Sequence, residues 1–194
     1  MHRKSDRIGL PQKTMTETRT CYDSVKIYQK DIGDVFISHK DRLIKVRDIA
    51  ADISAEIENL SVFIQKHTPV VCPDCSRVCC INRHSYPAYD DVLYLYARGE
   101  NIPRYTAGLD DDAPCQFLGN MGCSIPRVLR PYRCNWYFCT PLLHHIVEHN
   151  SSRHYRFFIN LLEQITGKRQ RMMEEYAAVV KNIANIALGY TDQT

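Results

Sequence analysis

"LIKVRDIAADISAEIENLSVFI", residues 43–64, sets the fold class. Leu43, Val46, Ala50, Ile53, Ile57, Leu60 and Ile64 recur at alternating steps of three and four, with charges filling many of the positions between. That period lines apolar side chains along one stripe of an α-helix, whereas a half-buried strand would alternate at every second residue. Ser38 and Asp41 stand where an N-cap and a first-turn acid belong, and Pro69 and Pro73 close the run. The stripe is a core face, which other helices must cover.

Working outward, a second helix is expected from about Tyr86 to Arg98, capped by Ser85, with Pro87 in its first turn and Gly99 after its last. Tyr89, Val92, Leu93 and Tyr96 form its core face. Tyr155, Phe158, Ile159, Leu162 and Ile165 predict a third helix, starting after Ser151 or Ser152 and stopping at Gly167. Met173, Tyr176, Val180, Ile183 and Ala187 predict a fourth, ending at Gly189. Residues 101–127, rich in proline and glycine, read as loop. Residues 1–20 are polar and are expected to form a flexible N-terminal segment. The fold class is therefore all-α: a helical bundle in a single domain, residues 21–194, with an irregular cysteine-rich segment between helices.

With 44% apolar and 24% charged residues the composition is that of an ordinary globular protein, and a net charge of +3 does not imply a polyanionic partner. No stretch offers a signal-peptide core, and none supplies the ~18 uncharged apolar residues that cross a bilayer. A cytoplasmic location without membrane contact is the expectation. There thiols stay reduced, and clustered cysteines bind metal or do catalysis more often than they form disulfides.

Eight of the nine cysteines fall in residues 72–139, and Cys21 alone lies outside. The run "VCPDCSRVCC" carries Cys72, Cys75, Cys79 and Cys80; Cys115, Cys123, Cys134 and Cys139 follow. Two residues between ligands let a tight turn aim both sulfurs at one ion, each ~2.3 Å from zinc. Neighbours such as Cys79 and Cys80 point to opposite faces of an extended segment, so they rarely fill equivalent corners of one tetrahedron. The doublet suggests two centres sharing a wall, or one centre plus a structural or reactive thiol. Four thiolates serve zinc and iron–sulfur clusters alike, and the spacing does not choose between them.

Within residues 72–139 every arginine-or-lysine position is arginine: Arg77, Arg83, Arg98, Arg104, Arg127, Arg130 and Arg133. Guanidinium groups can donate to metal-bound sulfur, although seven acids in the same stretch fit ordinary surface ion pairs equally well.

"CQFLGNMGCSI" followed by "RPYRCNWYFC", with "CPDCSRVCC" upstream, resembles the YkgJ-like cysteine-cluster family, described as zinc- or iron-chelating. The matching features are Cys-x-Phe-Leu at 115–118, Gly-Cys-Ser-Ile at 122–125 and Arg-Pro-x-x-Cys at 130–134, about a third of the chain. The resemblance implies a metal-binding bacterial protein and a metal role for Cys72, Cys75, Cys79, Cys80, Cys115, Cys123 and Cys134. Cys139 stands where the family often has a short aromatic–proline ending. Ser76, Arg77 and Val78 widen the gap before the doublet, and Asn135 replaces a basic residue that often follows the late cysteine. A flagellin lysine methylase is related to the same group, but no cofactor-binding motif here carries that activity over.

Among the remaining constellations, His145 and His149 share a helix face, a spacing that can bind metal or simply mark a surface. His84 lies close enough in sequence to complete a cysteine site. Asp110–Asp112 reads as a solvated acidic loop, and the tyrosines with Trp136 read as hydrophobic cover for a metal centre. The expected function is metal binding, with zinc or iron as cofactor and metal ions as the partner. The alternatives are a redox or methyl-transfer enzyme, and a zinc-stabilised interaction module binding nucleic acid through Arg127, Arg130 and Arg133, which the near-neutral charge of the segment disfavours.

Overall fold

In the computed structural model, residues 21–73, 78–120 and 122–188 are described. Seven α-helices are found among them: α1 (Cys21–Ser38), α2 (Ile44–Ile64), α3 (Thr68–Val71), α4 (Tyr89–Arg98), α5 (Arg133–Trp136), α6 (Thr140–Glu148) and α7 (Ser152–Ala187). The only regular strands among those residues are β1 (Leu118–Gly119) and β2 (Gly122–Cys123), an antiparallel hairpin. The all-α architecture read from the apolar periodicity is therefore the one observed. The expected flexible segment, residues 1–20, lies outside the described residues. No described helix is long and apolar enough to cross a membrane.

Helix α2 is the central element, packing along α7 and against α4. Its stripe is buried as its spacing requires: Leu43, Ala50, Ile53 and Leu60 are wholly inaccessible, and Val46, Ile57 and Ile64 nearly so. Each of these side chains other than Ala50 stabilises the fold by about 1.5–3 kcal/mol relative to exposure. The start differs from expectation. Ser38 is the last residue of α1, a 3₁₀ turn at Lys40–Arg42 intervenes, and Leu43 caps α2 without a side-chain hydrogen bond.

Helix α1, which the sequence did not lead us to expect, buries Val25, Ile32, Gly33 and Phe36 and packs Tyr28 and Val35 against the core. It packs on α4, where Gly33 leaves room for Tyr96. A Cβ at residue 33 would lie 2.9 Å from the Tyr96 hydroxyl, which donates to the Gln29 carbonyl at 3.0 Å.

Two expected boundaries move. Helix α4 starts at Tyr89, capped by Ala88 rather than Ser85; the Ala88 amide donates to Asp91 Oδ2 at 3.0 Å, while the Ser85 hydroxyl donates to the Asn82 carbonyl. Gly99 does end it, in the left-handed conformation at φ 70° that glycine adopts without strain. The expected break at Gly167 is absent, since α7 runs unbroken through it. One glycine in a helix interior costs only about 1 kcal/mol, and the buried stripe of Phe158, Ile165, Arg169, Met172 and Tyr176 outweighs it.

Arg169 is a buried cation in that stripe. Its Nη2 lies 2.6 Å from Asp91 Oδ1 and 2.7 Å from Asp90 Oδ2, and its guanidinium sits 4.6 Å from the Tyr132 ring centroid. The Tyr132 amide donates to the same Asp91 Oδ1 at 2.8 Å, and the Tyr132 hydroxyl meets Thr166 Oγ1 and the Leu162 carbonyl. Burial lifts Asp91 above the ordinary carboxyl range despite Arg169; Arg169, disfavoured by burial but facing both carboxylates, is held above its ordinary value.

Two outcomes follow from this packing. Gly167→Ala should stabilise the protein by about 0.5–1 kcal/mol, because nothing lies within 4 Å of the added Cβ and the helix continues through the site. A helix end there would make the change destabilising in urea titration. Asp91→Asn, which leaves Arg169 buried and half-paired, should cost about 3–5 kcal/mol in the same titration.

Candidate metal centre

Short segments hung on the helices carry the cysteines. Cys72 follows α3, its amide bonded to the Thr68 carbonyl at 2.9 Å. Cys79 and Cys80 enter an extended stretch in which Ile81 (φ −117°, ψ 159°) bridges Pro114, and the Cys115 amide donates to the Cys80 carbonyl at 2.9 Å. Cys123 sits on β2 opposite Leu118, after a turn closed by Gly122 at φ 98°, a conformation L side chains rarely adopt. Cys134 lies in the short helix α5 and Cys139 caps α6. Leu129, Tyr132 and Phe138 anchor the last of these segments in the helical core.

The sulfurs of these segments act on one another. Cys79 is hydrogen-bonded through its side chain to both Cys80 and Cys139, whereas Cys80 feels the charges of Cys134, Cys115 and Cys72. The two sulfurs of the doublet therefore lie within hydrogen-bond reach of each other, a departure from the opposite-facing arrangement expected of an extended segment. The Cys115 sulfur is met by the backbone of Phe117 and Leu118 and by the Ser85 side chain. Cys21, Cys79, Cys80, Cys115, Cys123 and Cys134 carry no disulfide. Cys21 is exposed at the start of α1, and Cys75 lies outside the described residues.

Ionisation is costly in this environment. Burial, then the neighbouring Cys123, push the Cys134 thiol up to about 12. Burial also raises Cys115. The bond with Cys80, then burial, raise Cys79, and the same bond lowers Cys80, which stays in contact with solvent.

Among the buried donor atoms without a hydrogen-bond partner are Tyr105 Oη, Gln116 Nε2, Arg127 Nε and Asn135 Nδ2. Tyr105 feels Cys134, Cys115 and Cys123; Arg127 feels Cys134, Cys123 and Cys80; Asn135 follows Cys134 directly and is wholly buried. Unsatisfied buried donors cost about 1–3 kcal/mol each, a cost that negative charge on the neighbouring sulfurs would offset.

The arginines behave differently from the expected sulfur donors. Arg127 Nη1 donates to the Cys134 carbonyl at 3.2 Å, and Arg130 donates to the carbonyls of Ile125 at 2.8 Å and Cys123 at 3.4 Å. They brace the backbone that carries the thiols. Burial, with Arg130 nearby, lowers Arg127 to about 10. Of the three arginines weighed as a nucleic-acid face, Arg133 alone is exposed.

The other candidates are partly absorbed by structure. Asp112 pairs with Arg83, and the Asp110 and Asp111 carbonyls accept from the Asn82 side chain and the Arg83 amide. The His84 ring is hydrogen-bonded to the Cys79 backbone, beside the cluster. His145 on α6 and His149 just after it stack at 4.0 Å, and His145 meets His67 edge-on at 5.3 Å. His67 is buried, its Nε2 3.1 Å from Asn150 Nδ2; no periodicity in the sequence marked it. Among the described residues no group of three or more His, Cys, Asp or Glu side chains stands in coordinating geometry.

No family model, no curated protein and no solved structure matches this chain.

In reduced, metal-free protein, iodoacetamide at pH 8 should modify Cys80 well before Cys134. A thiol titrating near 12 is roughly 0.01% thiolate at pH 8, and that fraction rises about tenfold per pH unit until it titrates. Peptide mass spectrometry should therefore show the gap closing between pH 8 and 11. Faster labelling of Cys134 at pH 8 would contradict the burial described here.

Proposed function

We propose that the chain is a metal-binding protein whose clustered cysteines hold zinc or an iron–sulfur cluster, as the resemblance to the YkgJ-like group implies. The ligands would be drawn from Cys72, Cys75, Cys79, Cys80, Cys115, Cys123, Cys134 and Cys139. The observation that carries the reading is the set of unpartnered buried donors, Tyr105 Oη, Arg127 Nε and Asn135 Nδ2, around thiols that burial keeps protonated. A bound cation would reverse that cost by deprotonating its ligands outright. Four thiolates about a divalent ion leave a charge near −2, which those donors would then satisfy.

When bound, such a group supplies structural cross-linking or one-electron exchange. The chain's own residues would orient the sulfurs through the Cys80–Cys115 backbone pairing, brace the Cys123 and Cys134 carbonyls with Arg130 and Arg127, and limit solvent access. A second reading, thiol redox chemistry, is favoured by one observation: Cys80 is solvent-accessible and accepts the Cys79 hydrogen bond, which lowers its pKa.

Oxygen-free purification with elemental analysis and an absorption spectrum tests the proposal. Bound zinc without colour, or bound iron with absorption near ~400 nm, is expected. Cys115→Ser and Cys134→Ser should lose metal, Cys21→Ser should keep it, and Asn135→Ala should keep it but yield it to a chelator about 10–100-fold more readily. Protein without stoichiometric metal, or a Cys115→Ser variant that retains all of it, would overturn the assignment.

A further inference from the structure

Beside the cysteine cluster, but not part of it, lies a cavity of about 390 Å³. Arg83, His84, Tyr132, Arg133 and Trp136 line it together with Asp90 and Asp91. That volume falls within the ordinary range for small-molecule sites. Its two carboxylates are already engaged, since Arg169 holds Asp90 and Asp91 at 2.7 and 2.6 Å. Arg83 pairs with Asp112, but among the described residues no carboxylate pairs with Arg133.

Arg133 is also held in place. Its guanidinium lies 5.8 Å from the Trp136 ring centroid and 5.6 Å from that of Tyr137, and both rings are exposed, at 45% and 41%. A guanidinium braced on aromatic faces loses less freedom when it binds, and its planar fork matches phosphate and carboxylate. His84 adds a ring close enough to feel both Arg133 and Arg83. Arg83 is exposed and its partner Asp112 more so, at side-chain values of 50% and 72%, so that pair can open toward a competing anion at little cost.

We propose that this cavity binds the oxyanion group of a small ligand, a phosphate or a carboxylate, on Arg133 and Arg83 beside Trp136. The site stands independently of the metal centre, although ligand held there would lie next to the segment that carries Cys134.

Trp136 is the only tryptophan in the chain, so its fluorescence reports on the cavity directly. The full chain is titrated with inorganic phosphate and, separately, with acetate, against potassium chloride at matched ionic strength. A saturable change with either oxyanion and none with chloride is expected, and the two arms show which group is preferred. Arg133→Ala should weaken the response about tenfold or more, Arg133→Lys less, and the distant Arg153→Ala not at all. Circular dichroism and metal content are measured on every sample, so that loss of fold or metal is told apart from loss of the anion site. An unsaturable or chloride-like response, or unchanged affinity in folded Arg133→Ala, overturns the proposal.

Discussion

The buried pair between Asp91 on α4 and Arg169 on α7 ties two helices and a cysteine segment together through one carboxylate. One carboxylate accepts from the guanidinium, from the Ala88 amide that opens α4, and from the Tyr132 amide two residues before Cys134. Capping of a helix, docking of two helices and placement of a cysteine segment therefore share a single group. A desolvated charge is tolerated only where its lone pairs are filled, and here backbone donors from two directions fill them. The Tyr132 ring beneath the guanidinium covers the pair, and its hydroxyl returns to α7 at Leu162 and Thr166.

From that anchor the cysteine segments are arranged mainly by backbone pairing. The extended doublet is held against residues 113–115, the hairpin presents Cys123, and Arg127 and Arg130 are spent on carbonyls beside the thiols. Sulfurs from distant parts of the chain then share a partly buried region, where burial and neighbouring thiols make Cys134 and Cys115 harder to ionise. Protonated thiols and unsatisfied donors side by side are a balance that added positive charge would reverse. This electrostatic mismatch, more than the number of cysteines, supports the metal reading.

Much of this was legible in the sequence. The stripe of α2 could be read residue by residue because every apolar position faces the same core, and the loop character of residues 101–127 followed from its glycines and prolines. Helix α1 escaped although Val25, Tyr28, Ile32, Val35 and Phe36 keep a three–four rhythm toward the core, because Tyr28 and Val35 are only partly buried there. Gly167 was misread because a residue that commonly ends helices stands in a stripe whose packing overrides it. Asp91 and Arg169 are 78 residues apart, and local periodicity says nothing about an ion pair across such a separation. The cysteine spacing suggested shared sites, while the partners of Arg127 and Arg130 depend on which carbonyls the folded loops turn toward them.

For the proposed metal centre, in which sulfurs from separate segments surround one ion, the decisive measurement is X-ray absorption at the metal edge of the purified protein. A first shell of about four sulfurs at ~2.3 Å from the metal is expected. A shell of oxygen or nitrogen at ~2.0–2.2 Å without sulfur would contradict it.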